Sequence, residues 1–255
     1  MIELNTIYNE NNLDTMSRIP NLYLDGIITS PPYNISSKRK DMYYNTGYSE
    51  MDNHTTEEYL KIRTNEFSEF QRIVKNDGVI LYNISYIHEN PSLPYQLINK
   101  VISETNLTIA DVMYWKKNSA IPFQTSPNKL SRIIEPVYVF VNKERLADFK
   151  SNKEISKVNS KTGQNFYKNY TNFIEARNND GVKSTLKATF STELVTKLID
   201  VYFKKGSIIY DPFMGIGTTA KGCKSMDCNF IGSEIKEEYY NQSKYICDSK
   251  NVKII

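Results

Sequence analysis

The chain has 255 residues, of which 40% are hydrophobic and 24% charged, with a formal net charge of +3. That length buries one large core, which predicts a single domain over residues 1–255, with room for an insertion. No apolar run reaches bilayer length, and the opening MIELNTIYNENN lacks a basic stretch followed by an apolar one, so the expected place is the cytoplasm, with no membrane partner.

Cys223, Cys228 and Cys247 form no disulfide framework. With no further Cys/His pair beside them, no metal site is expected. His54 and His88 are the only histidines, which leaves few candidates for histidine acid–base chemistry. The mild positive charge permits a nucleic-acid partner without requiring one.

In chain order, strand-length apolar runs fall at Leu4–Tyr8, Leu24–Ile28, Gly78–Ile84, Ile109–Tyr114, Pro136–Val141, Ser207–Tyr210 and Asn229–Gly232. Helices are expected at Thr56–Val74, Ser92–Glu104, Thr192–Phe203, Thr218–Ser225 and Glu237–Asp248. The alternation predicts an α/β fold with seven strands in one central sheet. Leu194, Val195, Leu198, Ile199 and Tyr202 mark the buried face of the third expected helix.

After the second strand comes Ser30-Pro31-Pro32-Tyr33. Paired prolines fix φ and donate no hydrogen bonds, so the turn is stiff and the Pro31 carbonyl meets little local competition. By itself such a turn is equally a strand terminator. Residues 35–53 follow as a polar loop that includes Lys38, Arg39 and Lys40. From Lys143 to Lys183 there is almost no helix or strand pattern, and from Lys143 to Lys187 ten Lys/Arg stand against five Asp/Glu. That excess reads either as a solvated insert or as a nucleic-acid contact region.

The next strand runs into Asp211-Pro-Phe213-Met-Gly215-Ile-Gly217-Thr218-Thr219. Glycines let the backbone adopt positive φ and approach a ligand closely, and the helix that follows offers free N–H groups to an anion. Alone this turn is equally a structural bend. It is no P-loop, because no G-K-[ST] follows, and it is short of G-x-G-x-x-G. An acid, Glu234, stands about 20 positions on at a strand end, placed to bind the hydroxyls of a ribose. Turn and acid together point to an adenosine-type cofactor.

The tetrad, the Asp-Pro-Phe-Met-Gly-x-Gly-Thr-Thr segment and Ser233-Glu234 resemble the DNA amino-methyltransferases, whose tetrad is (Asp/Asn/Ser)-Pro-Pro-(Tyr/Phe). With the tetrad first and the glycines last, the chain resembles the β group of that family. The resemblance implies a Rossmann-like class I methyltransferase fold, circularly permuted, with helices on both faces of a mostly parallel sheet. The N-terminal strand should then pair with the strand of Glu234. Ser30 and Gly215 should lie on adjacent strands at one edge. The match covers most of the chain, including Phe70–Tyr82, Trp115–Asn118, Ser131–Phe140 and Ala188–Leu194. Residues 144–183 lie outside it, where the family order puts a short target-recognition region.

The cofactor implied is S-adenosylmethionine, held by Asn11, Thr189, Phe190, Asp211, Phe213, Gly215, Gly217, Thr218 and Glu234. Ser30, Pro31, Pro32 and Tyr33 would be the catalytic tetrad, acting on the amine of a base flipped from double-stranded DNA. Lys38, Arg39 and Lys40 would contact phosphates, or else form a solvated loop. Ser-Pro-Pro-Tyr is associated mainly with cytosine N4, with adenine N6 the alternative. An RNA or protein-glutamine methyltransferase, or an inactive DNA-binding protein of the same fold, is a more distant alternative. The chain departs from the family at Leu186, Lys187 and Ser191, where His and Pro are frequent, and at Glu10-Asn11-Asn12, where Gly-Asp-Cys is frequent. The short insert leaves room for a homodimer partner or a separate specificity subunit.

Overall fold

The computed structural model describes residues 2–34, 53–86, 90–120, 127–128, 130–182 and 190–248. Strand β1 (Thr6–Tyr8) and helix α1 (Asn12–Arg18) lead into β2 (Leu24–Thr29). Then come α2 (Thr56–Ile73), β3 (Val74–Asn83), α3 (Leu93–Glu104), β4 (Leu107–Lys117) and β5 (Ile134–Asn142). A 3-10 turn (Lys143–Asp148) precedes β6 (Ile155–Val158), β7 (Asn165–Tyr167) and β8 (Phe173–Ala176). The chain closes with α4 (Thr192–Tyr202), β9 (Ile208–Asp211), α5 (Thr218–Ser225), β10 (Asn229–Ser233) and α6 (Glu237–Asp248).

The central sheet has eight strands, ordered β1-β10-β9-β2-β3-β5-β4-β8. The run from β1 to β3 is parallel, and β5 is antiparallel to both β3 and β4. As the permuted order requires, β1 pairs with β10, with Tyr8 opposite Ser233. Successive strand residues feed opposite faces. Ile28, Leu81, Val139 and Ile209 pack with α4 and α5 through Val195, Leu198, Ala220 and Cys223. Their neighbours Ile27, Ile80, Phe140 and Tyr210 pack with α1, α2 and α3 through Met16, Phe67, Phe70 and Leu97. Period-two alternation with both sides apolar is what a sheet covered by helices on both faces demands.

Two expectations are corrected. The sheet has eight strands rather than seven, because β8 adds a parallel edge strand against β4, with Tyr114 opposite Phe173. The polar stretch that carries it is also not patternless, since β6 and β7 form a separate antiparallel hairpin. β8 is only four residues long and buries just Ile174 and Ala176, which is too brief an alternation to stand out among Asn and Lys. Helix α1 was likewise hidden, because its polar start reads as loop. Asn11 caps it, with its side-chain oxygen accepting from the Leu13 N–H at 2.9 Å.

Candidate active site at the carboxyl edge

The parallel pairing of β2 with β9, Ile27 opposite Tyr210, brings both strand ends out at the same edge. Ser30 follows one and the glycine turn follows the other. The two are tied directly: Thr29, just before the tetrad, donates its hydroxyl to Asp211 Oδ1 at 2.7 Å. On its other side β2 packs closely against β3 at Gly26, where a Cβ would sit 2.3 Å from the Val79 carbonyl oxygen.

Asp211 organises the turn. Its carboxylate also accepts from the Phe213 N–H at 3.0 Å and from the Thr219 hydroxyl at 2.5 Å. Burial pushes its pKa up to about 6, while the bonds from Thr219, Phe213 and Thr29 pull the other way. Gly215 and Gly217 take φ of 55° and 91°, in the left-handed region that L side chains avoid. Gly217 is the last residue before α5, where Thr218 begins the helix.

Glu234 is buried beside this turn. One carboxylate oxygen accepts from the Gly215 N–H at 2.9 Å and the other from the Lys236 N–H at 2.8 Å. Its own N–H donates to the Tyr8 carbonyl at 2.9 Å, so the N-terminal strand reaches the same sheet edge. Asn11 is exposed, with its amide oxygen committed to the cap of α1. Phe190 is half-buried and packs on the α4–α5 core. Thr189, Lys38, Arg39 and Lys40 lie outside the described residues.

The tetrad is held from behind. Pro31 is buried, while Ser30, Pro32 and Tyr33 are half-buried. Tyr59 on α2 donates its hydroxyl to the Pro32 carbonyl at 2.8 Å. Asn34 exits the tetrad with φ of 59° and exchanges two side-chain hydrogen bonds with the His54 backbone, at 2.9 and 3.0 Å. The Tyr33 hydroxyl lies 3.1 Å from Ser30 Oγ and donates to Asn83 Oδ1 at 3.0 Å. Burial, then the nearby Glu135 carboxylate, raises its pKa well above the usual phenol value. Tyr33 is therefore a neutral phenol at any physiological pH.

Sequence reasoning missed the layer beneath. Arg63 and Glu66 form a buried ion pair on α2 at 3.0 Å, and Asn12 donates to the other Glu66 oxygen at 2.9 Å. The Arg63 guanidinium lies over the rings of Phe213 and Tyr59, 4.9 and 5.4 Å from their centroids. One α2 side chain thus touches both an expected cofactor residue and the residue that fixes the Pro32 carbonyl. A signal existed: Arg63 and Glu66 share the apolar stripe of Tyr59, Phe67 and Phe70 at helical spacing, and charges on a buried face rarely lack a task. Asn83 gave none, because its role needs β5 alongside.

A permuted, mostly parallel sheet with a glycine turn, a strand-end acid and a proline tetrad at one edge defines a methyltransferase of the class I fold. Comparison with known proteins narrows the class. The family model described as DNA methylase, of the N6/N4 type, matches residues 24–245. The chain belongs to that family and is a DNA amino-methyltransferase. It is similar to the type II methyltransferase M.BglII of Bacillus subtilis, 24% identical, with 92% of this chain and 67% of that protein covered. It is also similar to M1.MboII of Moraxella bovis, 22% identical, over 99% of this chain and all of that one. Among solved structures it resembles the cytosine-N4-specific PvuII DNA methyltransferase, with a TM-score of 0.74 at 18% identity, covering 97% and 88% of the two chains. The M1.HpyAVI–SAM complex matches with a TM-score of 0.62 at 21% identity, covering 94% and 98%. No described helix is long and apolar enough to cross a membrane.

Proposed function

We propose that this chain moves a methyl group from S-adenosylmethionine to the exocyclic amine of a base flipped out of double-stranded DNA, with cytosine N4 as the acceptor. The observation that carries the reading is the Thr29–Asp211 hydrogen bond, which fastens the proline tetrad to the glycine turn.

The residues present fit the cofactor. Glu234 offers acceptors at the strand end for a ribose, the Gly215–Gly217 turn carries no side chain at its two left-handed positions, and the partly exposed Phe213 offers an apolar face. Asn11, Phe190, Asp211, Thr218 and, beyond the described residues, Thr189 complete the proposed set. When bound, S-adenosylmethionine supplies an electrophilic methyl group. The protein's task is then alignment.

The amine of a base is flat because its lone pair is delocalised into the ring. Ser30 Oγ and the Pro31 carbonyl accept its two hydrogens and favour the pyramidal nitrogen that attack requires. Pro31 and Pro32 stiffen that geometry, and the Tyr33 ring stacks on the flipped base. Stacking of about 1–3 kcal/mol offsets much of the few kcal/mol of extrusion. Lys38, Arg39 and Lys40 contact phosphates near the flipped nucleotide. Residues 144–183 contribute target recognition as a short insert in a single domain spanning 1–255, assisted by a second copy of the chain or a specificity subunit.

The test is to incubate purified protein with duplex DNA and labelled cofactor, digest the DNA to nucleosides and weigh them. N4-methylcytosine is expected. N6-methyladenine would reassign the base while keeping the chemistry. Unlabelled DNA would overturn the reading.

A further inference from the structure

We propose that Asn83 sets the direction of a hydrogen-bond chain that makes the Ser30 hydroxyl an acceptor only, so that Ser30 reads the base amine and never the adjacent ring nitrogen. The inference rests on the reading of Ser30 as the residue facing the amine.

The direction follows from which groups can donate. Asn83 donates through Nδ2 to the Pro136 carbonyl at 2.9 Å. A carbonyl oxygen only accepts, so this bond fixes the orientation of the Asn83 amide and turns Oδ1 towards Tyr33. The Tyr33 hydroxyl has one proton, and it goes to Oδ1 at 3.0 Å. The nearby Glu135 carboxylate, paired with Lys117, also favours the protonated phenol. The 3.1 Å contact between Ser30 and Tyr33 must then be made by the serine proton. With that proton spent inward, Ser30 presents only lone pairs outward.

The consequence concerns specificity. A free serine hydroxyl has both capacities and can accept from an amine while donating to a ring nitrogen. Ser30 in this chain behaves like a carboxylate, which only accepts. Cytosine N3 and adenine N1 therefore meet some other donor, and Ser30 does not choose between the bases. Asn83 touches neither substrate nor cofactor in this scheme; it is a positioning residue that acts through Tyr33.

Two measurements test this. Tyrosine labelled with ¹³C at Cζ, with the Tyr33 line assigned from Tyr33→Phe, reports the bond direction in the free protein. Donation by a phenol moves Cζ towards its tyrosinate position, and acceptance moves it away. Asn83→Leu and Ser30→Ala are therefore expected to shift the line in opposite directions; shifts of the same sign, or none for Asn83→Leu, overturn the proposal. In turnover, Tyr33→Phe keeps the stacking ring but frees the serine proton. It is expected to lower kcat about tenfold with KM for DNA unchanged. Asn83→Leu should slow the wild-type enzyme several-fold, less than Tyr33→Phe because the phenol oxygen can still accept the serine proton, and should not slow Tyr33→Phe further. An undiminished effect of Asn83→Leu in the Tyr33→Phe background, or an unchanged kcat for Tyr33→Phe, also overturns it. The spectroscopic arm needs no substrate. A wild-type protein that leaves DNA unmethylated would sink the functional reading, while the shifts would still decide the bond direction.

Discussion

The run from β1 to β3 and the segment 143–182 use the same twenty amino acids to opposite ends. In the first, strand ends emerge from a core closed on both faces. There Asp211, Glu234 and Asn83 are buried with their polar atoms bonded to named partners. In the second, β6 and β7 are exposed along their whole length, and Lys157 on β6, Lys153 before it and Lys161 in the connecting turn stand in solvent. Chemistry that must hold atoms to a fraction of an ångström sits where the sheet leaves no freedom, and groups that suit a long charged polymer sit where side chains extend into water. A two-stranded hairpin is marginal alone, so its geometry is set by whatever it meets.

The contrast predicts unequal responses to mutation. The largest effect belongs to Ser30→Ala, expected to cut kcat by about 10²–10³ with melting temperature almost unchanged, because it removes an acceptor used in the transition state. A loss below tenfold would break the assignment of chemistry to the tetrad.

Asp211 comes next and carries a pH signature. Its pKa is raised from 3.8 to about 6, so the folded state holds the proton more tightly than the unfolded chain. Its contribution to stability therefore falls as pH rises from about 4 to about 6 and is flat above, amounting to about 3 kcal/mol at most. Urea unfolding at several pH values should show that slope in the wild type and its absence in Asp211→Asn. A slope that survives would place the titration elsewhere.

Gly26→Ala probes the strand pairing that positions Thr29. Its Cβ would meet the Val79 carbonyl at 2.3 Å and the Phe203 ring at 2.6 Å, and a backbone atom cannot rotate away. A loss of about 1–3 kcal/mol is expected from chemical denaturation, with methyl transfer reduced in step because Asp211 loses its register with Thr29.

The smallest effect on the fold, and the sharpest contrast, is expected from Lys153→Glu, Lys157→Glu and Lys161→Glu together. Stability should change by less than about 0.5 kcal/mol per site. The slope of log affinity for DNA against log salt should lessen by about 0.9 for each phosphate that the hairpin no longer neutralises. An unchanged slope would remove the hairpin from the DNA interface.

What the sequence determined is what local pattern encodes. Strand-length apolar runs located the strands of the central sheet apart from β8. The Thr55–Glu58 capping box and the Ser191 cap start helices that periodicity already marked. Motif order implied the permutation, because a strand end with its turn is a local unit whose chemistry survives moving along the chain. What only tertiary structure decided involves partners far apart in sequence. β8 is a strand because β4 has an open edge to pair with. Asn83 matters because β5 supplies the Pro136 carbonyl beside it. Arg63 is tolerable in the interior because Glu66 and two aromatic rings surround it. Hydrogen-bond direction and the cost of burying charge are properties of assembled neighbours, and no window along the chain contains them.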